Sequence, residues 1–367
     1  MPIRLCLLFL TIGISAVAKE IPQHYQSVRA LGMGGVYVFN ESDSGVLFHN
    51  VAGLGKIKGI NATIFDLNMG INGLQIYNDI QAMGNVSGLA SLNSLYGKNV
   101  WFGADAYAAV TMPYFGIAAF NNGSASLRLD NPTYPNMGID FYNHYGVEVG
   151  GAVPLGPAYL GLGVKRMIQR GGHQDIGPVL LSTINNSTLQ SQFANEGIGY
   201  GLDAGLLFSP PAPLNPVVSI AWLDVGGTAF NKSAGTDAPD RIKDNVTFGT
   251  TISGDVPGLG FATGIEYRHI NNATEPLSKK IHMGVELSLL AFDFRAGFYQ
   301  GYTTYGVGLD LLFLQLDAAM YTVEKGAYAG QTPDQRIQVS LSMDLGFDPS
   351  FKLTDGGGKK RKLKQRR

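Results

Sequence analysis

Cysteine is almost missing from this chain: Cys6 is the only one in 367 residues. An intrachain disulfide framework is therefore excluded. Charge is scarce as well. Asp, Glu, Lys and Arg make up only 15% of the residues and the formal net charge is −1, which excludes a charge-rich disordered chain and a body dominated by nucleic-acid binding. The six histidines are scattered without metal-ligand spacing, and neither Gly-x-Ser-x-Gly nor His-Glu-x-x-His occurs. No catalytic residue, metal site or cofactor is expected, and His144, His173 and His269 read as surface or rim residues. Long apolar runs are missing too, so no segment past the N-terminal region reads as a transmembrane helix.

What is present begins with that N-terminal region. Arg4 precedes the apolar stretch Leu5 to Leu10, and the small-residue site Ala16-Val17-Ala18 follows, so residues 1–18 read as a secretory signal cleaved after Ala18. Cys6 lies early in that stretch and lacks the small residues that precede a lipid-modified cysteine. Cleavage would leave no thiol at all.

The 49 glycines, 45% hydrophobic and 10% aromatic residues suit strands that are half apolar. The clearest strand lies near the end of the chain. Ile337, Val339, Leu341, Met343, Leu345 and Phe347 alternate without a break with Gln338, Ser340, Ser342, Asp344 and Gly346. A period of two puts all six apolar side chains on one face, whereas a helix would scatter them. Such a strand, ending in an aromatic, resembles the last strand of bacterial outer-membrane proteins. The same pattern also fits the edge of a soluble sandwich.

Further alternating segments between Ile57 and Val323 bring the total to roughly fourteen strands, with connections that alternate short and long. That predicts an all-β fold, a transmembrane antiparallel barrel spanning residues 57–347, with short helices in outer loops around Ile76 to Leu95 and within Arg170 to Glu196. Where the phase is clear, charge shares a face with glycine. Tyr200, Leu202 and Leu206 oppose Gly201, Asp203 and Gly205, and Phe292 and Phe294 oppose Asp293 and Arg295. Because a charge facing lipid costs about 2–4 kcal/mol near the midplane for Arg or Lys, and less for Asp or Glu, Asp203, Glu266, Arg268, Glu286, Asp293 and Arg295 are expected to point inward. The last five come from consecutive strands and are expected either to pack the interior or to form one polar constriction. Trp101, Tyr107, Trp222, Tyr267, Tyr299 and Tyr321 are expected mainly at the membrane interfaces.

Residues 19–56 precede the barrel. They contain Leu31-Gly32-Met33-Gly34-Gly35 and, further on, Asn50-Val51-Ala52-Gly53-Leu54. The glycines do not form a nucleotide loop, since no βαβ unit and no Gly-Lys-Ser/Thr accompanies them. They resemble the start of the FadL-type outer-membrane barrels, which include long-chain fatty-acid transporters and PorV-type secretion accessory proteins. Asn50, Ala52, Gly53 and Leu54 match the family's Asn-Pro-Ala-Gly-Leu, with Val51 in place of proline. The resemblance implies fourteen strands and a hatch inside the lumen carrying Gly32, Gly34, Gly35, Asn50, Ala52, Gly53 and Leu54. It also implies passage of small hydrophobic molecules across the outer membrane. The other function in the family is a non-transporting accessory barrel that binds proteins. A signal with barrel strands places the chain in a Gram-negative outer membrane, with lipid, a hydrophobic small molecule or a protein as partner, and no nucleic acid.

The final segment, residues 348–367, runs through Gly356-Gly357-Gly358 into Lys359-Lys360-Arg361-Lys362-Leu363-Lys364-Gln365-Arg366-Arg367. It reads as a disordered tail. At a periplasmic end its charge suits anionic lipid or cell-wall polymer.

Overall fold

A computed structural model describes residues 25–38, 44–73, 96–181, 193–347 and 353–354. The expected signal peptide, the helical insertion at 76–95 and the basic run lie outside the described residues.

The wall strands are β1 (Ile60–Ile71), β2 (Asn99–Met112), β3 (Phe115–Asp130), β4 (Asn136–Leu155), β5 (Ala158–Ile176) and β6 (Glu196–Phe208). They continue as β7 (Val217–Leu223), β8 (Phe230–Ala234), β9 (Asn245–Val256), β10 (Leu259–Tyr267) and β11 (Ile281–Leu289). The circuit ends with β12 (Phe292–Tyr299), β13 (Tyr302–Leu311), β14 (Leu314–Glu324) and β15 (Pro333–Phe347). Each but β8 pairs antiparallel with the next in the circuit, and β1 pairs with β15 from Ile60↔Phe347 to Ile71↔Ile337. The sheet therefore closes. β7 and β8 both pair with β6 and count as one interrupted wall strand, so the barrel has fourteen.

The alternation read along the chain becomes the two faces of this wall. On β15, Asp334, Arg336, Gln338, Ser340 and Ser342 are buried, while Val339 on the other parity is exposed. The exposed row continues around the wall through Leu162, Val164, Leu202, Ile265, Val285 and Phe294. A contiguous apolar belt of this extent is tolerated only where hydrocarbon covers it. β1 changes phase part-way up. A bulge between Thr63 and Asp66 lets Ile60 and Ile64 face out below it and Leu67 and Met69 above it.

Strand ends differ from the sequence reading in four places. β1 starts at Ile60, not Ile57, because Gly59 holds a positive φ of 79° and breaks the extended run. β3, β4 and β5 run to sixteen, twenty and nineteen residues, well beyond a bilayer crossing. The seventh wall strand is broken at 224–229, where Asp224 takes φ 51° and Gly226 and Gly227 are also left-handed. The outer connection between β12 and β13 is a tight turn at Gln300-Gly301, against the general rule of long outer loops. A helical turn, Pro178–Leu181, does occur after β5. Leu353–Thr354 forms a short strand, β16, paired with Gly346 and Phe347.

Four of the six expected interface aromatics line the interior. Trp101, Tyr107, Tyr299 and Tyr321 are buried on the inward parity, and only Trp222, at 41%, is strongly exposed. His144 and His269 are buried too, which corrects their reading as surface residues. The alternation rule gives the reason for Tyr107, which shares a face with Gly103 and Asp105.

Wall orientation predicts a depth-dependent cost. Val285→Lys, mid-strand on β11, is expected to lower unfolding free energy in lipid vesicles by about 2–4 kcal/mol, and Leu312→Lys at a turn by about 0–1 kcal/mol. Guanidinium unfolding in vesicles measures both, and equal losses would contradict the assigned faces.

Candidate functional site

The inner wall is built to receive the N-terminal segment. A short helix, α1 (Val28–Gly32), capped by the Ser27 hydroxyl, packs on β12, β13 and β14. A second, α2 (Val46–His49), runs into a 3-10 helix at Val51–Lys56 that packs on β3 to β6. β13 and β5 stand on opposite sides of a fourteen-strand circuit, so the segment reaches from one wall to the other.

At the first contact, the Thr304 hydroxyl accepts from Gly34 N–H and donates to Gly32 O, each at 3.0 Å. His282 Nδ1 donates to Gly34 O at 2.9 Å. Gly34 and Gly35 adopt φ of 69° and 79°, which other residues rarely adopt. The wall gives way to match. A Cβ at Gly284 or Gly297 would overlap the backbone of Met33 and Gly34, so glycine on the strands is as necessary as glycine on the segment.

At the second contact, Asn50 caps the 3-10 helix by accepting from Ala52 N–H at 3.0 Å. Its amide nitrogen donates to Leu206 O at 3.4 Å and Ile220 O at 3.3 Å, tying the turn to β6 and β7. Gly53 N–H donates to Asn50 O at 2.9 Å, and Leu54 O accepts from Tyr114 N–H at 3.1 Å. Ala52 lies against Gly161, and Val51 sits over Gly150 and Gly163, where the side chain fills the hollow left by two strand glycines.

The charged residues expected inside are all buried, and they fall into three groups where the sequence suggested one network for five of them. Arg295 is the hub of the first. It donates to Glu286 at 2.7 Å, Asp317 at 2.5 Å and Asp293 at 3.2 Å. Glu286 also accepts from Arg29 of the N-terminal segment at 2.9 and 2.7 Å. Glu266 and Arg268 form the second group, with Arg268 Nε donating to Glu266 at 2.9 Å. Glu266 Oε1 accepts from the Tyr37 and Val38 N–H groups at 2.6 and 2.8 Å. The Arg268 guanidinium lies 4.3 Å from the Tyr37 ring, which stacks on His49 at 3.6 Å. Burial, and after it the charge on Arg268, holds the His49 imidazole well below its usual range, so this stack carries one cation and not two.

Asp203 stands apart in the third. It accepts from Lys165 at 3.0 and 2.9 Å and from Asp224 N–H at 2.6 Å, and Lys165 also reaches Asp224 at 3.1 Å. This group pins the break in the seventh wall strand to β5 and β6. Lys165, Asp224, Asp317, Thr304, His282 and Arg29 were not singled out from the sequence. Lys165 shares parity with Gly161 and Gly163 on β5, a signal that was there to be read.

A fourth feature lies higher. Above the crossing, Val100, Leu127, Leu129, Met137, Ile139 and Ile176 form an apolar cluster with Ile71, Tyr96 and Phe193 packed against it. These residues belong to the outward parity of β2 to β5, yet they are buried, and Tyr96 and Phe193 pack against them from beyond the strand ends. Among the described residues no group of three His, Cys, Asp or Glu is placed to hold a metal.

As a sequence the chain matches no family model, and it matches none of the curated proteins. Its structure is similar to that of a TodX deltaS2S3 mutant monoaromatic hydrocarbon channel, with a TM-score of 0.53 at 11% identity over 87% of this chain and 97% of that one. It is similar to the CymD monoaromatic hydrocarbon channel at a TM-score of 0.52 and 11% identity, over 90% and 99%. The fold is that of the FadL-type outer-membrane barrels.

Two substitutions test these contacts on the barrel. Arg295→Met leaves three buried carboxylates short of their shared cation and is expected to cost about 3–5 kcal/mol in vesicle unfolding. Gly297→Val crowds Gly34 by about 1–3 kcal/mol and is expected to speed trypsin cleavage after Arg29 about tenfold while the barrel still forms. Unchanged cleavage would mean that the segment is not seated on β12.

Proposed function

We propose that this barrel lets small hydrophobic molecules cross the outer membrane, with the segment around Gly32 to Gly35 and Asn50 to Leu54 serving as a hatch. The observation that carries the reading is the reach of that segment from wall to wall. A polypeptide in this position blocks any straight path down the lumen, so passage requires it to shift. Its ties suit such a shift. Asn50 holds β6 and β7 through two long hydrogen bonds of 3.3 and 3.4 Å, weak by geometry, while the rest of the turn bonds mostly to itself.

The similar structures named above are described as monoaromatic hydrocarbon channels, and a molecule of that size and polarity is the substrate class we assign.

Uptake decides the matter. Vesicles carrying the purified protein are expected to admit radiolabelled toluene faster than empty vesicles at early times. Asn50→Ala, which removes the cap and both ties to the wall, is expected to change that rate several-fold with the heat-modifiable barrel band intact. Rates equal to those of empty vesicles, together with a protein that co-purifies with the barrel, would instead make it an accessory barrel that binds other proteins.

A further inference from the structure

Cations are absent from the lipid-facing side of the wall except at one place. Among the described wall strands the outward parity carries only Arg166 and Arg170, both exposed on β5. Other strand cations, such as Lys165, Arg295 and Arg336, lie on the inward parity and are buried. An arginine on the lipid face is costly at the midplane and nearly free at the interface, so the height of this pair matters. From Ala158, at the short-turn end of β5, to Arg166 the strand climbs roughly 20 Å at about 3.4 Å per residue and ordinary tilt. That is near the top of an apolar band about 25 Å tall.

The neighbouring strands change character at the same level. Below Arg166 the outward row is apolar and exposed, with Leu162 and Val164 on β5, Val149 on β4 and Leu202 on β6. Directly opposite Arg166 stand Val147 on β4 and an exposed Tyr200 on β6, and above them Tyr145 faces Ile168 and Asn143 faces Arg170. Tyrosines at such a change mark the boundary between hydrocarbon and headgroups. Neither arginine forms a hydrogen bond or ion pair with a described residue. Glu196 lies directly opposite Arg170 on β6, but it accepts from the Ser233 hydroxyl at 2.9 Å.

We propose that Arg166 and Arg170 form a docking site on the outward face of β5 for the phosphate of an acidic lipid in the outer leaflet. Arg170 lies roughly 14 Å further along the strand and about 10 Å higher, a gap that two long side chains bending toward each other can close over one headgroup layer. Each guanidinium is a planar fork that matches phosphate. That the phosphate belongs to a lipid follows from placement. A ligand touching Arg166 also meets Val147 and Val164, so it must bring an apolar chain together with its anion. The inference rests on the reading of the wall as lipid-covered and is independent of what passes through the lumen.

Native mass spectrometry of the full-length protein, released from detergent micelles, tests it with phosphatidylglycerol and phosphatidylcholine of equal acyl length as probes. The wild type is expected to hold phosphatidylglycerol about tenfold more tightly than R166Q/R170Q, and the single variants R166Q and R170Q are expected to lose about threefold each. Phosphatidylcholine is expected to bind all of them equally. R128Q, which removes an exposed arginine of the inward parity, is expected to behave as the wild type, and the basic run at 359–367 is common to every protein compared. The heat-modifiable barrel band shows that each variant is folded. Equal phosphatidylglycerol affinity in the wild type and R166Q/R170Q would overturn the proposal. So would an equal loss in R128Q, which would make the effect one of net charge, or displacement of the lipid by millimolar inorganic phosphate, which would make the pair a site for a free anion.

Discussion

In hydrocarbon a backbone N–H or C=O has no water to turn to, and a sheet with a free edge leaves a whole row of them unsatisfied. The pairing of β1 with β15 removes that edge, and everything else follows from it. Closure forces the side chains into two populations by parity alone. One meets lipid and must be apolar; the other meets an enclosed space whose polarity the protein is free to choose. In this chain the enclosed space is given over to glycine, charge and the N-terminal segment.

Those three depend on one another. Strand glycines weaken a sheet, yet Gly284, Gly297 and Gly306 on one side and Gly161 on the other leave room for backbone to lie against backbone, and Gly150 and Gly163 make room for the Val51 side chain. The charges then hold what the glycines admit. Glu286 and Glu266 each serve both a wall arginine and the N-terminal segment. Neither arginine is left without an anion when the segment is in place, and any movement of the segment must re-partition these bonds.

The faces of the wall were legible in the sequence because period-two alternation survives wherever lipid covers one side. The inward orientation of Asp203, Glu286, Asp293 and Arg295 follows from that alone. What escaped was whatever depends on distance across the interior. Glu266 and Glu286 lie on adjacent strands and appeared to belong to one network, but each is drawn to a different part of the N-terminal segment. The partnership of Asp203 with Asp224 depends on a break in the strand that Gly226 and Gly227 hint at without fixing. Beyond the bilayer, parity alone does not tell lipid from protein: Leu127, Leu129 and Ile139 lie on the outward parity of β3 and β4, yet they are buried in an apolar cluster with Tyr96 and Phe193. The aromatics failed for a related reason, since Tyr299 and Tyr321 pack edge-on against each other inside, 5.8 Å apart.

The unequal lengths of the strands give the outer mouth a slope. β4 has twenty residues and β12 only eight, a difference of roughly 40 Å of chain at about 3.4 Å per residue before tilt. One side of the mouth is thus a tall screen and the other a low sill at Gln300-Gly301. The wall around the mouth therefore differs in height from side to side, and the barrel has a front and a back.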